Sequence, residues 1–362
     1  MTVALDLVSR VVPILVFLVA LTALAELADE SGVFEVASHG VMRVARGRTA
    51  VLLLLLVALV TMVTITLSLD TTAVLLTPAV IAVARKAGLP TLPLALLVLW
   101  LANTASLLLP VSNLTNLLAW QTLESQESAL GYVSLSWVPA VVAVLATLAV
   151  FWTFYGRHLP RSFTASVRPQ MADPVCFTVA TAACLLLGPL VVLGLPAWLA
   201  ATALTLPVLA IVGWRRRHVF RRPMIPWRAL VTVTGLFVLL GLVQETPLGA
   251  ALAQLARHPD SLMGNLQTAG VGAILANGIN NLPAFLALEA GAAHSATALM
   301  ALLIGVNCGP LVTVWGSLAT VLWLDRCRVA GLPVPLRRLS WQGGVVAALS
   351  VVTATVALSV TR

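Results

Sequence analysis

The sequence predicts an all-α polytopic membrane protein made of two inverted repeats, each with a re-entrant helical hairpin and a broken transmembrane helix. Three observations carry this. First, 60% of the 362 residues are hydrophobic and only 9% are charged, against about a quarter in soluble domains, so lipid must cover much of the surface. Second, beside six uninterrupted apolar runs stand four that are broken by Asp, Asn, Ser, Gly or Pro. Third, the basic residues cluster in short loops on one side only if some of those broken runs turn back within the membrane.

The uninterrupted runs are Val11–Ala28, Ser134–Tyr155, Pro174–Leu195, Pro196–Trp214, Ala229–Glu245 and Trp341–Val360. Each is long enough to span a hydrocarbon core of about 30 Å. Leu5–Ala28 is too long for a signal peptide and is followed by no small-residue cleavage site. In Ser31–Arg48, Val33, Phe34, Val36, Ala37, Val41, Val44 and Ala45 can form one apolar face. That predicts an interfacial helix.

The broken runs come in two pairs. Thr49–Leu69 leads through Asp70 into Thr71–Ala84, predicting a hairpin over 49–85. Thr91–Trp120 is interrupted by Asn103, Pro110, Ser112, Asn113 and Asn116. In the second part of the chain, 264–290 is interrupted by Asn277, Asn280, Asn281 and Pro283, predicting a second hairpin. The run 296–324 is interrupted by Asn307, Gly309, Pro310, Gly316 and Ser317. The predicted organisation is a first repeat over 1–156, a cytoplasmic linker over 157–173 and a second repeat over 174–362.

Charge placement selects this topology. With both hairpins returning to the side they entered, all but Arg10, Arg257 and Arg362 of the 21 Lys and Arg fall on the cytoplasmic side. Glu124 and Glu127 then lie in an outer loop, and both termini lie outside. Treating every apolar run as a simple span scatters the basic clusters across both sides, against the positive-inside rule. When Asn103 is laid over Asn307, Asn113 falls on Ser317, Leu114 on Leu318 and Asn116 on Thr320, a weak internal repeat. The net charge of +8 follows from these helix-end clusters, and nucleic acid is not an expected partner.

Interrupted segments in matching places of two halves point to a transporter's binding site. Asp70 is the sharpest candidate, because a charge at the bilayer centre costs roughly 2.5–3.5 kcal/mol on insertion scales. A carboxyl at that depth suits proton coupling. It can equally cap the helix that begins at Thr71 and Thr72. Ser112, Asn113, Thr115 and Asn116, with Ser317 and Thr320 in the second broken run, supply small neutral donors and acceptors. Such groups suit a neutral polyhydroxy solute or a partly dehydrated ion, or simply bond packed helices together. Asn277, Asn280 and Asn281 form the second hairpin tip opposite Asp70, with Pro283 able to sit in the first turn of the restarting helix.

Other residues carry less. Cys308 is a soft donor, but a single thiol is more simply a small packing residue. Cys176, Cys184 and Cys327 form neither a CxxC pair nor a zinc spacing with it. Glu26, Asp29, Glu30 and Glu35 close the first helix, and Glu245 and Glu289 lie near outer helix ends. His39, His158, His218, His258 and His294 fall in loops or at interfaces without metal spacing. No nucleophile–base set and no metal cluster points to an enzyme, and no cofactor is expected.

LADESGVFEVASHGVMRVARGR, DTTAVLLTPAVIA, LANTASLLLPVSNLTNLLAW, NGINNLPAFLAL and GVNCGPLVTVWGSLATVLWL together resemble the ArsB arsenite-efflux family. That family lies within an ion-transporter superfamily that includes dicarboxylate and sodium/proton carriers. The resemblance covers about Leu24 to Leu324. It implies scaffold and transport domains, hairpins that meet at a central site, and proton-coupled export of arsenite or antimonite across the cell membrane. It places Asp70 at the acidic position of the first hairpin motif, and Asn103 and Asn307 in unwound helices where relatives carry Asp or Asn. Ser112, Asn113, Asn116, Ser317 and Thr320 fall on the binding-loop motifs. Family members usually begin with two more helices, so this chain is expected to start at the third. The partners it admits are a small ion such as arsenite or antimonite, protons, the lipid bilayer, a second copy in a homodimer and an ATPase subunit. Carboxylate transport or sodium/proton exchange is the alternative, although no Lys or Arg lies inside a predicted span. A membrane sensor or scaffold is a third reading, disfavoured by the paired broken helices.

Overall fold

The computed structural model describes residues 2–123, 129–163, 173–217 and 224–361. Glu124, Glu127, Arg168, His218, Arg221, Arg222, Arg362 and most of the predicted linker lie outside the described residues, as does the side chain of Arg10. Among the described residues every regular element is helical, and the only sheet-like pairing is one bridge between Arg48 and Ser162. It is a multi-pass membrane protein. Seven helices are long and apolar enough to cross a bilayer. They are α1 (Thr2–Glu30), α3 (Thr49–Leu67), α8 (Ala129–Tyr155), α9 (Pro174–Val192), α10 (Ala197–Arg215), α11 (Trp227–Gln244) and α17 (Leu336–Val360). Each matches an apolar run of the sequence to within a few residues.

Between them lie the interrupted segments. After α3 the chain breaks at Ser68 and restarts as α4 (Leu69–Thr71), a π-helical stretch Thr72–Leu76 and α5 (Thr77–Lys86). Next come α6 (Thr91–Thr104), short 3-10 turns at Ala105–Leu107 and Pro110–Ser112, and α7 (Leu114–Leu123). The same order recurs later. α13 (Leu262–Ile279) breaks at Asn280 and restarts as α14 (Asn281–Ala292), then α15 (Ala296–Cys308) unwinds over 309–317 before α16 (Leu318–Val329).

Ser68 has φ 88° and ψ 159°, and Asn280 has φ 86° and ψ 153°. This backbone region is almost exclusive to glycine and costs about 1–3 kcal/mol elsewhere. The two unwound segments also end alike, with extended Asn113 (φ −151°, ψ 145°) and Ser317 (φ −138°, ψ 141°) preceding α7 and α16.

Helix packing gathers these breaks together. α13 packs along α15, α8 along α17 and α6, and α1 along α10 and α9. A Cβ added at Gly305 of α15 would stand 2.1 Å from the Ala269 carbonyl of α13. The two backbones therefore meet directly, which is how membrane helices gain contact where lipid offers no hydrophobic drive. Trp100, Trp323, Tyr132 and Phe285 are the largest fully buried side chains.

Several expectations are corrected. The interfacial segment does form α2 (Val33–Val44), but its inner face is Val33, Phe34, Ser38, His39 and Met42. Val44 is exposed, although α2 packs on α3 and α5. His39 is therefore a buried helix residue, bonded through Nδ1 to the Glu35 carbonyl (2.9 Å) and through Nε2 to Lys86 Nζ (3.0 Å). Glu289 is not at an exposed end either; it is 4% exposed and accepts a 2.5 Å hydrogen bond from Thr122 of α7. A ten-residue helix that the apolar runs conceal appears before the second break, α12 (Pro247–Ala256), packed on α14.

Candidate functional site

The unwound part of the first broken helix leaves backbone carbonyls without helical partners, and at membrane depth these must be satisfied by protein. Neighbouring side chains do so. Asn116 Nδ2 donates to the Ser106 (2.5 Å) and Leu109 (3.1 Å) carbonyls. From α8, Tyr132 donates to the Leu107 carbonyl (3.2 Å) and Ser136 to that of Leu108 (2.9 Å). Ser112 Oγ lies 2.8 Å from the Leu109 carbonyl and 3.1 Å from that of Ile65 in α3, tying the loop to the first hairpin.

Asn307 joins the two parts of the chain. Its Oδ1 accepts from Asn113 Nδ2 (2.7 Å) and Thr115 Oγ1 (2.9 Å), and its Nδ2 donates to Asn116 Oδ1 (2.6 Å). All four residues are buried. The cluster is neutral, and every member is an amide or a hydroxyl. Asn103 does not enter it through a hydrogen bond; its Nδ2 turns back to the Leu99 carbonyl of α6 (3.0 Å). Asn103 and Asn307 were expected in unwound backbone. Both instead occupy the last helical turn before the unwinding, since α6 runs to Thr104 and α15 to Cys308.

The second hairpin tip is tied to its neighbouring loop. Asn277 Nδ2 donates to the Gly309 carbonyl (2.8 Å), and its Oδ1 accepts from the Val312 and Thr313 amides (3.1 Å each). Asn280 Nδ2 donates to the Trp315 carbonyl (2.9 Å), and the Asn281 amide to that of Gly316 (2.9 Å).

The first tip is different. Thr71 and Thr72 are engaged: Thr72 Oγ1 lies 3.0 Å from the Ser68 carbonyl and 3.0 Å from Thr64 Oγ1, and the Thr71 amide reaches Ser68 Oγ at 3.4 Å. Asp70 Oδ1 is buried and has no hydrogen-bond partner. Nor have Asn103 Oδ1, Ser317 Oγ and Thr320 Oγ1, nor hydroxyls elsewhere such as those of Ser38, Thr77 and Thr181. The helix that carries Thr320, α16, packs against α4 and the π-helical stretch beside Asp70.

Ser68, not Asp70, is the break residue and the cap of α4. The signal was a Ser directly after the apolar run and three residues before a Thr. Tyr132 and Ser136 were also passed over, although a polar pair one turn apart in an apolar helix marks a face turned to protein. The π-helix after Asp70 leaves no sequence signal, yet such bulges recur at functional sites.

The chain has relatives among known proteins. The CitMHS profile, described as a citrate transporter, matches residues 4–320. The chain belongs to the CitMHS family. Within reach of this CitMHS chain are arsenical pump membrane proteins. That of Yersinia enterocolitica is 28% identical over 332 residues, covering 84% of this chain and 76% of its own. That of Escherichia coli K12 is 29% identical over 343 residues, with the same coverage. The crystal structure of the Alcanivorax borkumensis YdaH transporter superposes with a TM-score of 0.64 at 17% identity, covering 98% of this chain and 86% of that one. At that identity it speaks for the fold alone. The CitMHS protein is therefore a membrane transporter of small ions or anions, not an enzyme.

Proposed function

We propose that the chain exports arsenite or antimonite across the cytoplasmic membrane by proton antiport with alternating access. In this reading residues 1–156 and 174–362 are two inverted halves with both termini outside, and Asp70 carries the proton. The observation that carries it is the pairing of a buried, neutral amide–hydroxyl cluster (Asn113, Thr115, Asn116, Asn307) with one deep carboxyl that lacks a partner. Neutral donors and acceptors suit an uncharged trihydroxide, and a lone carboxyl suits reversible protonation. The names of the bacterial relatives support the substrate.

Everted membrane vesicles test it. Arsenite accumulates when a proton gradient is imposed, and Asp70→Asn abolishes the accumulation. Equal accumulation without a gradient overturns the coupling. The family's description favours a second reading, carboxylate transport. Against it, no Lys or Arg bonds to the cluster among the described residues, where a di- or tricarboxylate would call for a cation. Sodium-dependent citrate uptake with no arsenite flux decides for that reading.

A further inference from the structure

One face of α17 combines an arginine, an exposed tryptophan and a glycine slot. Arg337, Ser340, Trp341, Gly344, Val345 and Ala348 line an open groove of about 770 Å³, closed on its far side by Val312. Their spacing places them on a single stripe of the helix. Arg337 stands at the polar end, Trp341 is 69% exposed one turn further on, and Gly344 leaves the slot empty of side chain. From Arg337 to Ala348 the stripe rises about 16 Å. That is close to half of a hydrocarbon core of about 30 Å, one leaflet's depth.

The cations nearby are not equivalent. Arg338 lies over the Tyr155 ring at 5.3 Å, and Arg326 pairs with Asp325 at 2.8 Å. Arg337 has no ion-pair partner among the described residues, so its charge is left facing the groove mouth. The same combination recurs on α10, where Leu206, Leu209, Ala210, Gly213, Trp214 and Arg217 line a groove of about 580 Å³ with Trp214 77% exposed. Two grooves, each with a Gly slot, an exposed Trp and an Arg at one end, match an amphiphile with an anionic head better than bulk lipid does.

We propose that the α17 groove binds an anionic phospholipid, its phosphate on Arg337 and one acyl chain in the slot over Gly344. The site reaches the transport machinery directly. Val312, its far wall, is the residue whose amide Asn277 holds. A Cβ on the adjoining Gly343 would stand 2.0 Å from the Leu311 carbonyl, so the backbone of α17 meets the loop 309–317 directly. A lipid in the groove therefore steadies the loop that ends at Ser317.

Native mass spectrometry of the full chain in detergent, titrated with phosphatidylglycerol or phosphatidylcholine, counts the bound lipid. Phosphatidylglycerol binds saturably and phosphatidylcholine does not. Gly344→Leu loses one bound phosphatidylglycerol relative to the unaltered chain. The variant is sterically mild, since a Cβ there meets only Val312 Cγ2 at 3.7 Å. Arg337→Ala weakens binding about fivefold, and Arg337→Lys restores it. Unchanged lipid count in Gly344→Leu overturns the proposal. So does equal binding of both lipids, or full displacement by inorganic phosphate, which would make the site one for free anions. These readouts do not depend on which solute is transported.

Discussion

The two hairpin tips share a backbone and differ in what they bond. Ser68 and Asn280 take nearly the same glycine-like conformation. Beyond Asn280, the amides of Asn277, Asn280 and Asn281 are spent on the loop 309–316, three of whose carbonyls and two of whose amides they engage. Beyond Ser68, Asp70 keeps a buried carboxyl oxygen without a partner. One tip is thus saturated by its own half of the chain and serves as a brace. The other retains a buried carboxyl oxygen without a partner, on the group proposed above to carry the proton.

The largest effect expected from this contrast is functional. Asp70→Asn removes the only ionisable group of either tip while keeping its shape. Gradient-driven uptake into everted vesicles falls to background, yet stability in detergent changes by less than about 1 kcal/mol, because no hydrogen bond to Asp70 Oδ1 is lost. A variant that instead unfolds would show Asp70 to be a structural cap, and the contrast would fail. The opposite profile is expected of Asn277→Ala. It strands the Gly309 carbonyl and the Val312 and Thr313 amides, costing about 3 kcal/mol at about 1 kcal/mol for each bond. Denaturant unfolding and flux should then decline together.

A third substitution probes the bridge between the two parts. Asn307→Asp keeps the acceptor for Asn113 and Thr115 but replaces the donor to Asn116 Oδ1 with a second oxygen. Facing two oxygens without a proton between them costs about 1–3 kcal/mol. The loss should shrink as pH falls, because a protonated carboxyl donates again. Unfolding midpoints at two pH values check this, and a pH-independent loss would mean that the cluster is wetter than the geometry implies.

Much of this was legible in the sequence for a physical reason. Apolar runs, their interruptions and the basic loop clusters are set by the cost of placing polar groups in lipid, and that cost acts residue by residue. The helix interruptions near Ser68 and Asn280 and the unwinding near Asn113 and Ser317 followed from it. What stayed hidden depends on partners far along the chain. Nothing in the neighbours of Asn307 says that it bonds Asn113, Thr115 and Asn116, and nothing local says that Glu289 is buried against Thr122. The inner face of α2 was misread for the same reason, since a short amphipathic segment does not reveal what packs on it. Ser68 was overlooked because the adjacent Asp70 gave the stronger signal.

The smallest predicted effect is the most direct comparison of the tips. Glycine at either break removes the backbone strain, worth about 1–3 kcal/mol, and in both adds roughly 0.5–1 kcal/mol of unfolded-chain entropy. The side-chain losses differ. Ser68→Gly gives up two long contacts to Thr71, the cap bond to its amide at 3.4 Å and a bond to its Oγ1 at 3.3 Å. Asn280→Gly gives up the 2.9 Å bond to the Trp315 carbonyl and the cap on the Leu282 amide at 3.3 Å. Each loses two bonds, but only the Asn280–Trp315 bond is short, so Ser68→Gly is expected to be the more stable of the two by less than about 1 kcal/mol. If the order reverses, Ser68 is held by more than its visible partners, and the first tip is as firmly braced as the second. If it holds, the loosely tied tip is the one beside Asp70, as the proposed proton coupling at Asp70 requires.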